Sequence, residues 1–306
     1  MKKGITAFIA LASVSMSLSA YAGQCNKDAI KLQVLGSGGP ELYDNRASSG
    51  YIIWHNEKAR ILVDTGPGTS VNFGKVGADY KDLEAILLTH LHVDHSADLP
   101  AYVKGAVFTD RIQDLALYGP SGNEIMPATK DFVTRLFGKE GVYPYLSDYL
   151  IPYARNYAIE VNQVDINKNS VQTFQLNDEV KLSAIAVEHG PLPAAAWRVD
   201  IEGCAITFSG DMSAKRPNLI ALAKGSDILV AHHAIPQAAK GRPATALHMI
   251  PEQIGHIAKQ AGVKQLVLSH RMSPSVGKEQ NTLKVIKQQY SGDVRFAEDL
   301  DTFDIQ

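Results

Sequence analysis

The sequence predicts an α/β chain built as an αββα sandwich, with two mixed β-sheets packed together and flanked by helices. Three observations lead there. Short apolar strand-like runs dominate the early part of each half of the chain, and helix-like segments follow them. No second long apolar span, low-complexity block or internal repeat interrupts the chain beyond its first residues. A length of about 280 residues after a leader is also one that single α/β domains reach routinely.

The elements follow in order. Residues 1–22 read as an export signal: Lys2 and Lys3 supply the positive start, Ile5 to Leu18 a mostly apolar core, and Ala20-Tyr21-Ala22 a small-residue cleavage site. The expected mature chain, 23–306, is a single domain in the periplasm or outside the cell, with no membrane attachment once the signal is gone. Ala29 to Leu35 alternates as a strand does and runs into Gly36-Ser37-Gly38-Gly39-Pro40, a loop with little bulk that suits close backbone approach to a site. Ser49 to Trp54 and Ala59 to Asp64 form two strands joined by the turn His55-Asn56-Glu57-Lys58, and Leu83 to Thr89 forms another. Between Asp98 and Asn162 aromatic residues accumulate. Asn123 to Phe137 reads as a helix. The stretch around 140–160, with Tyr143, Tyr145, Tyr149, Tyr153 and Tyr157, fits either a lid or pocket wall or ordinary packing. Strands return at Val171 to Leu176, Val180 to Val187, Ala195 to Glu202 and Cys204 to Ser209. Helix-like segments at Arg216 to Lys224 and Pro251 to Ala261 are succeeded by strands at Ile228 to Ala231 and Gln265 to Leu268.

Cys25 and Cys204 are the only cysteines. They form either one disulfide pinning the N-terminal segment to a strand, as an oxidising compartment allows, or two unpaired thiols with Cys204 buried. The unpaired arrangement is preferred here. Net charge is −2, and loss of Lys2 and Lys3 with the leader takes it to −4. No Lys/Arg cluster marks an electrostatic footprint, so nucleic acid is not expected as a partner.

The chemistry is concentrated in Thr89-His90-Leu91-His92-Val93-Asp94-His95. Alternate residues of an extended segment point the same way. His90 and His92 can therefore grip one metal while the turning chain presents Asp94 and His95 to a second. Imidazole and carboxylate suit zinc, with manganese or iron admitted. His189, Asp211 and His270 each stand where an apolar strand gives out. Loop positions beyond strand ends converge on one edge of a sheet.

The cluster, followed by a His, an Asp in Ser209-Gly210-Asp211 and a final His, resembles the metallo-β-lactamase superfamily, whose first motif Asp64 also matches. Within it, the chain is similar to the ribonuclease Z-like branch, which includes secreted arylsulfatases and phosphodiesterases. Leu35 to Pro40, Leu117-Tyr118-Gly119-Pro120, His189-Gly190-Pro191-Leu192-Pro193 leading to Trp197-Arg198, and the run from His248 to Ser269-His270 carry this likeness. The resemblance implies the metallo-β-lactamase fold and two Zn2+ ions. One would be held by His90, His92 and His189, the other by Asp94, His95 and His270. Asp211 would bridge them, and Asp64 would orient a ligand by hydrogen bonding. Such a pair, about 3.5–4 Å apart, turns a bridging water into a hydroxide near neutral pH. Asp94 counts among the catalytic groups as well as the ligands. His232, His233 and His248 are candidates for protonating a leaving group. Ribonuclease Z has a Glu after the first of these, and His233 takes its place here, so the expected acid is His248 with His233 assisting.

The function expected is an exported binuclear zinc hydrolase of small anionic esters, either phosphodiesters or aryl sulfates. Transfer-RNA processing is disfavoured by the export signal and by the want of an RNA-gripping arm between Ser96 and His189. A thioesterase or lactonase on the same site is the alternative enzyme, and a non-catalytic zinc-binding protein the alternative class. Arg198 and Arg271 stand near the motifs and are read as structural before anion-binding. A homodimer is admitted, with no interface signature to support it.

Overall fold

The computed structural model describes residues 25–306. The export signal expected at 1–22 lies outside them. Apolar runs pair into a first sheet: β1 (Ile30–Gly36), β2 (Gly50–His55) and β3 (Lys58–Val63) run antiparallel to their neighbours. After α1 (Thr69–Lys75) comes β4 (Ala85–Leu87), then α2 (Val93–Ser96) and α3 (Leu99–Ala106). β5 (Leu115–Pro120), α4 (Thr129–Phe137) and β6 (Ile159–Val164) complete the first half. From β3 to β6 the strands are parallel. Parallel pairing requires crossover connections, which lay helices over the outer face.

The second sheet repeats this division. β7 (Gln172–Gln175), β8 (Val180–His189), β9 (Leu192–Ile201) and β10 (Cys204–Phe208) are antiparallel. α5 (Asn218–Leu222), β11 (Ile228–His232), α6 (Pro251–Ala261), β12 (Gln265–Ser269), α7 (Glu279–Ile286) and β13 (Asp293–Phe296) follow, with β10 to β13 parallel. The last strand, β14 (Thr302–Asp304), returns to the first sheet beside β1. The orders are β14-β1-β2-β3-β4-β5-β6 and β13-β12-β11-β10-β9-β8-β7. One apolar core, with Leu32, Ile53, Ile61, Trp197, Phe208 and Val230, fills the space between the sheets, and a further core lies under the helices of each outer face. This is the αββα sandwich of two mixed sheets that the sequence predicts.

Three expectations change. The helix expected over 123–137 begins only at Thr129, because Asn123 closes a turn on the backbone N–H groups of Ile125 and Met126, and Pro127 disfavours helix in the residue before it. Of the two arrangements open for the 140–160 stretch, its aromatic residues show packing. Its 3-10 segment, Pro144–Leu150, packs on α4, and Tyr143, Tyr149 and Tyr157 join the core under the helices. Ala158 N donates to Asp114 Oδ1 where β5 and β6 begin, at the edge opposite the strand ends that lead to the histidines. Finally, Cys25 and Cys204 are disulfide-bonded, with Cα atoms 4.5 Å apart, and not the unpaired thiols preferred above. The N-terminal segment runs beside the start of β10, where Asn26 N donates to Glu202 O at 2.9 Å, and this brings Cys25 alongside Cys204.

Candidate metal centre

At the end of β4 the chain leaves the sheet and delivers Thr89 and His90. His92 then caps α2 in extended conformation, placing Asp94 and His95 in its first turn. The His90 and His92 rings lie 4.7 Å apart, edge to face, as expected of alternate residues. Asp64 follows β3 with a left-handed φ of 56°. Its Oδ1 accepts from Thr89 N at 2.7 Å, and its Oδ2 accepts from Thr89 Oγ1 and from His95 Nδ1, both at 2.8 Å. That bond turns His95 Nε2 inward, 3.5 Å from Asp94 Oδ2 and 3.7 Å from Asp211 Oδ2. Burial alone would lower the His95 pKa, but Asp64 foremost, with Asp211, raises it well above the ordinary value.

The second sheet brings the remaining groups. His189 ends β8, and its Nδ1 donates to Leu247 O at 2.9 Å. Its Nε2 therefore faces His92 Nδ1 at 3.4 Å and Asp211 Oδ2 at 3.7 Å. Asp211 follows Gly210, whose φ of 59° and closeness to Thr89, 2.8 Å from where a Cβ would stand, admit only glycine. His270 leaves β12 with φ 51° and sets its Nε2 3.2 Å from Asp94 Oδ2 and 3.5 Å from Asp211 Oδ1. Two sets thus form around Asp211: His90, His92, His189 and Asp211, and His95, Asp211, His232 and His270. Within each, the ligand atoms lie within 4.8 Å of one another. Asp94 borders the second set.

The donor chemistry fits a pair of metal ions. His90 Nε2 and His95 Nε2, and beside them His248 Nδ1, are buried without a hydrogen-bond partner. Unsatisfied buried polar atoms are costly, and several gathered around one carboxylate are the arrangement a cation resolves. Burial pushes the His90 pKa well below its ordinary value, and it also lowers those of His92 and His189, keeping these imidazoles neutral as ligation requires. Burial would raise the Asp211 carboxyl, but the imidazoles around it, His270 first, hold it well below the usual range.

The three histidines considered as proton donors separate. The His248 ring lies 5.4 Å from that of His189 and 6.0 Å from that of His270, with Nδ1 buried, unpaired and 3.8 Å from Asp211 Oδ2. His233 is not brought to the cluster. Neighbouring strand residues face opposite ways, and its Nε2 lies 3.1 Å from Thr282 Oγ1 of α7, with its ring beside Phe296. His232 faces inward instead, its Nδ1 2.8 Å from Asp211 Oδ1. The doublet follows a single apolar run, so strand alternation predicts that one of the two faces inward without saying which. Arg198 is held by Asp200 and by the carbonyls of Leu222 and Lys224. Arg271 is buried between Glu279 and Glu298. Both are structural.

A family model described as a beta-lactamase superfamily domain matches residues 59–271. The ribonuclease Z of Mycobacterium avium (strain 104) is 28% identical over 285 residues, covering 89% of this chain and 96% of that protein. The ribonuclease Z of Enterococcus faecalis is 26% identical over 314 residues, covering 90% and 97%. Among solved structures, the metallo-beta-lactamase fold protein YhfI from Bacillus subtilis matches with TM-score 0.69 at 22% identity, over 90% of this chain and 99% of that one. The short form of human tRNase Z matches with TM-score 0.69 at 20% identity, with the same coverage of each. The exclusion of nucleic acid is therefore corrected, since the curated relatives are ribonucleases by name. The spacing of Lys and Arg along the chain does not record where they stand on the folded surface, so it could not exclude such a partner.

Proposed function

On the premise that the chain belongs to the beta-lactamase superfamily, as the match over residues 59–271 establishes, we propose that this hydrolase is an exported binuclear zinc phosphodiesterase. The observation that carries the reading is the convergence of two imidazole sets on the shared carboxylate of Asp211. The choice of phosphodiester over aryl sulfate is supported by the name of the curated relatives, ribonuclease Z. Export is supported by the leader-like pattern of residues 1–22 and by the Cys25–Cys204 disulfide, a bond that persists in oxidising compartments.

In this reading His90, His92 and His189 would hold one ion and Asp94, His95 and His270 the other, with Asp211 available to both. When bound, the pair supplies the acidity that activates a water and the positive charge that offsets developing negative charge on the ester oxygens. The protein's own part is to hold the groups still. Asp64 fixes the ring of His95, and Leu247 O that of His189. His248, at the inner end of the loop that also supplies Leu247, is the group within reach of a departing oxygen and carries the proton to it.

The test is turnover by the mature protein, from Gly23, on bis(p-nitrophenyl) phosphate, p-nitrophenyl sulfate and a short RNA. Each is run with added zinc and after chelation. Chelator-sensitive cleavage of the phosphodiester, with or without the RNA, is the expected result. Cleavage of the sulfate alone would replace the reading with arylsulfatase. Bound metal with no cleavage of any of the three would sink it.

A further inference from the structure

The ligands of the centre come from both sheets, so something must hold the sheets in register where those ligands meet. Tyr51, on β2 of the first sheet, is fully buried and points across the interface. Its hydroxyl oxygen lies 2.9 Å from Ser269 Oγ and 3.2 Å from His232 Nε2, and because Nδ1 of that ring gives its hydrogen to Asp211, Nε2 is the acceptor for the tyrosine's one hydrogen. Both partners belong to the second sheet, on β12 and β11. Ser269 immediately precedes His270. His232 continues through Nδ1 to Asp211 Oδ1 at 2.8 Å. Bonded through both ring nitrogens, this imidazole has one orientation. It fixes the rotation of the Asp211 carboxylate, with Oδ1 toward His270 at 3.5 Å and Oδ2 toward His95 and His189, both at 3.7 Å. The ring of Tyr51 is itself held against Phe208, with centroids 5.5 Å apart.

We infer that Tyr51 and His232 are positioning residues for the metal centre: a strut from the first sheet that sets the carboxylate shared by the two ligand sets and steadies the strand end that delivers His270. The inference rests on the proposed metal sites, and not on which ester is cleaved. Partners of this kind typically change metal affinity about tenfold to a hundredfold when removed. The hydroxyl can be deleted alone, since Tyr51→Phe keeps the ring and its contact with Phe208.

The experiment measures zinc stoichiometry and affinity, by competition with a chromogenic chelator, for wild type, Tyr51→Phe, His232→Gln and the double variant. Circular dichroism checks that each is folded. Expected results are unchanged stoichiometry at saturation in all four and an affinity loss of about tenfold to a hundredfold in each single variant. The double variant should be no weaker than His232→Gln, because the tyrosine acts largely through that ring. Wild-type affinity in Tyr51→Phe would overturn the inference. Losses that simply add would do the same, as would an ion missing at saturation in His232→Gln, which would make His232 a ligand. A wild-type protein that binds two zinc ions and cleaves nothing would overturn the phosphodiesterase reading alone. One that binds none would overturn both.

Discussion

Which nitrogen His95 and His189 turn inward is decided by groups on the far side of each ring. Asp64 takes Nδ1 of His95 and Leu247 O takes Nδ1 of His189, so Nε2 of each points to Asp211. The inward residues are legible in the sequence for a physical reason. His90, His92, Asp94 and His95 crowd one strand exit, and His189, Asp211 and His270 each follow an apolar run that must end at the sheet edge. His232 and His233 share one run, and only their folded surroundings, Tyr51 and Asp211 against the first and Thr282 against the second, show which of them is inside. Their separation leads to a sharp expectation. His248→Ala should slow cleavage by about 10²–10⁴-fold for alkoxide leaving groups, the range of a lost general acid, and far less for nitrophenolate, with zinc content unchanged. His233→Gln, facing α7, should leave turnover per folded molecule as it was. A His248→Ala loss independent of leaving-group pKa would make that residue structural.

At the scale of elements, the strands that carry motifs are legible and those that only support them are less so. β5, Leu-Ala-Leu-Tyr-Gly-Pro, ends in two residues that ordinarily break strands. β6, Ile-Glu-Val-Asn-Gln-Val, is an edge strand in which three of six residues are polar and no clean alternation shows. Their pairing is set by the parallel neighbours β4 and β5, a tertiary effect that local pattern does not record. The disulfide is hidden for the same reason: a separation of 179 residues says nothing of proximity until β10 and the N-terminal segment are laid side by side. Closing so long a loop restricts the unfolded chain strongly. Cys204→Ala should therefore cost about 2–5 kcal/mol, read as a lower urea midpoint. Because the bond sits at the start of β10 and Asp211 beyond its end, zinc affinity should be unchanged. A Cys204→Ala protein as stable as wild type would show that the bond constrains little.

For the molecule as a whole, the centre is a seam. His90, His92, Asp94 and His95 leave the first sheet, while His189, Asp211 and His270 leave the second. Among the imidazole nitrogens gathered there, His90 Nε2 and His95 Nε2 are buried and have no hydrogen-bond partner. Backbone and side-chain ties also cross the seam, such as Trp197 Nε1 donating to Leu88 O at 3.0 Å and Ala195 N donating to Thr89 O at 2.8 Å, so the sandwich does not depend on metal for its existence. Ions that bind the folded chain and not the unfolded one add stability by mass action, about 2.7 kcal/mol for one site at a hundredfold excess over Kd. For a chain of this size that corresponds to a Tm shift of roughly 5 °C for each site. Chelation should therefore lower Tm by that amount without unfolding the protein at room temperature, and zinc should restore it. In Asp211→Ala, which lacks the carboxylate common to both sets, most of the zinc-dependent increment should vanish. A Tm that ignores chelation in the wild type would mean that the two sheets meet at this edge without a metal between them.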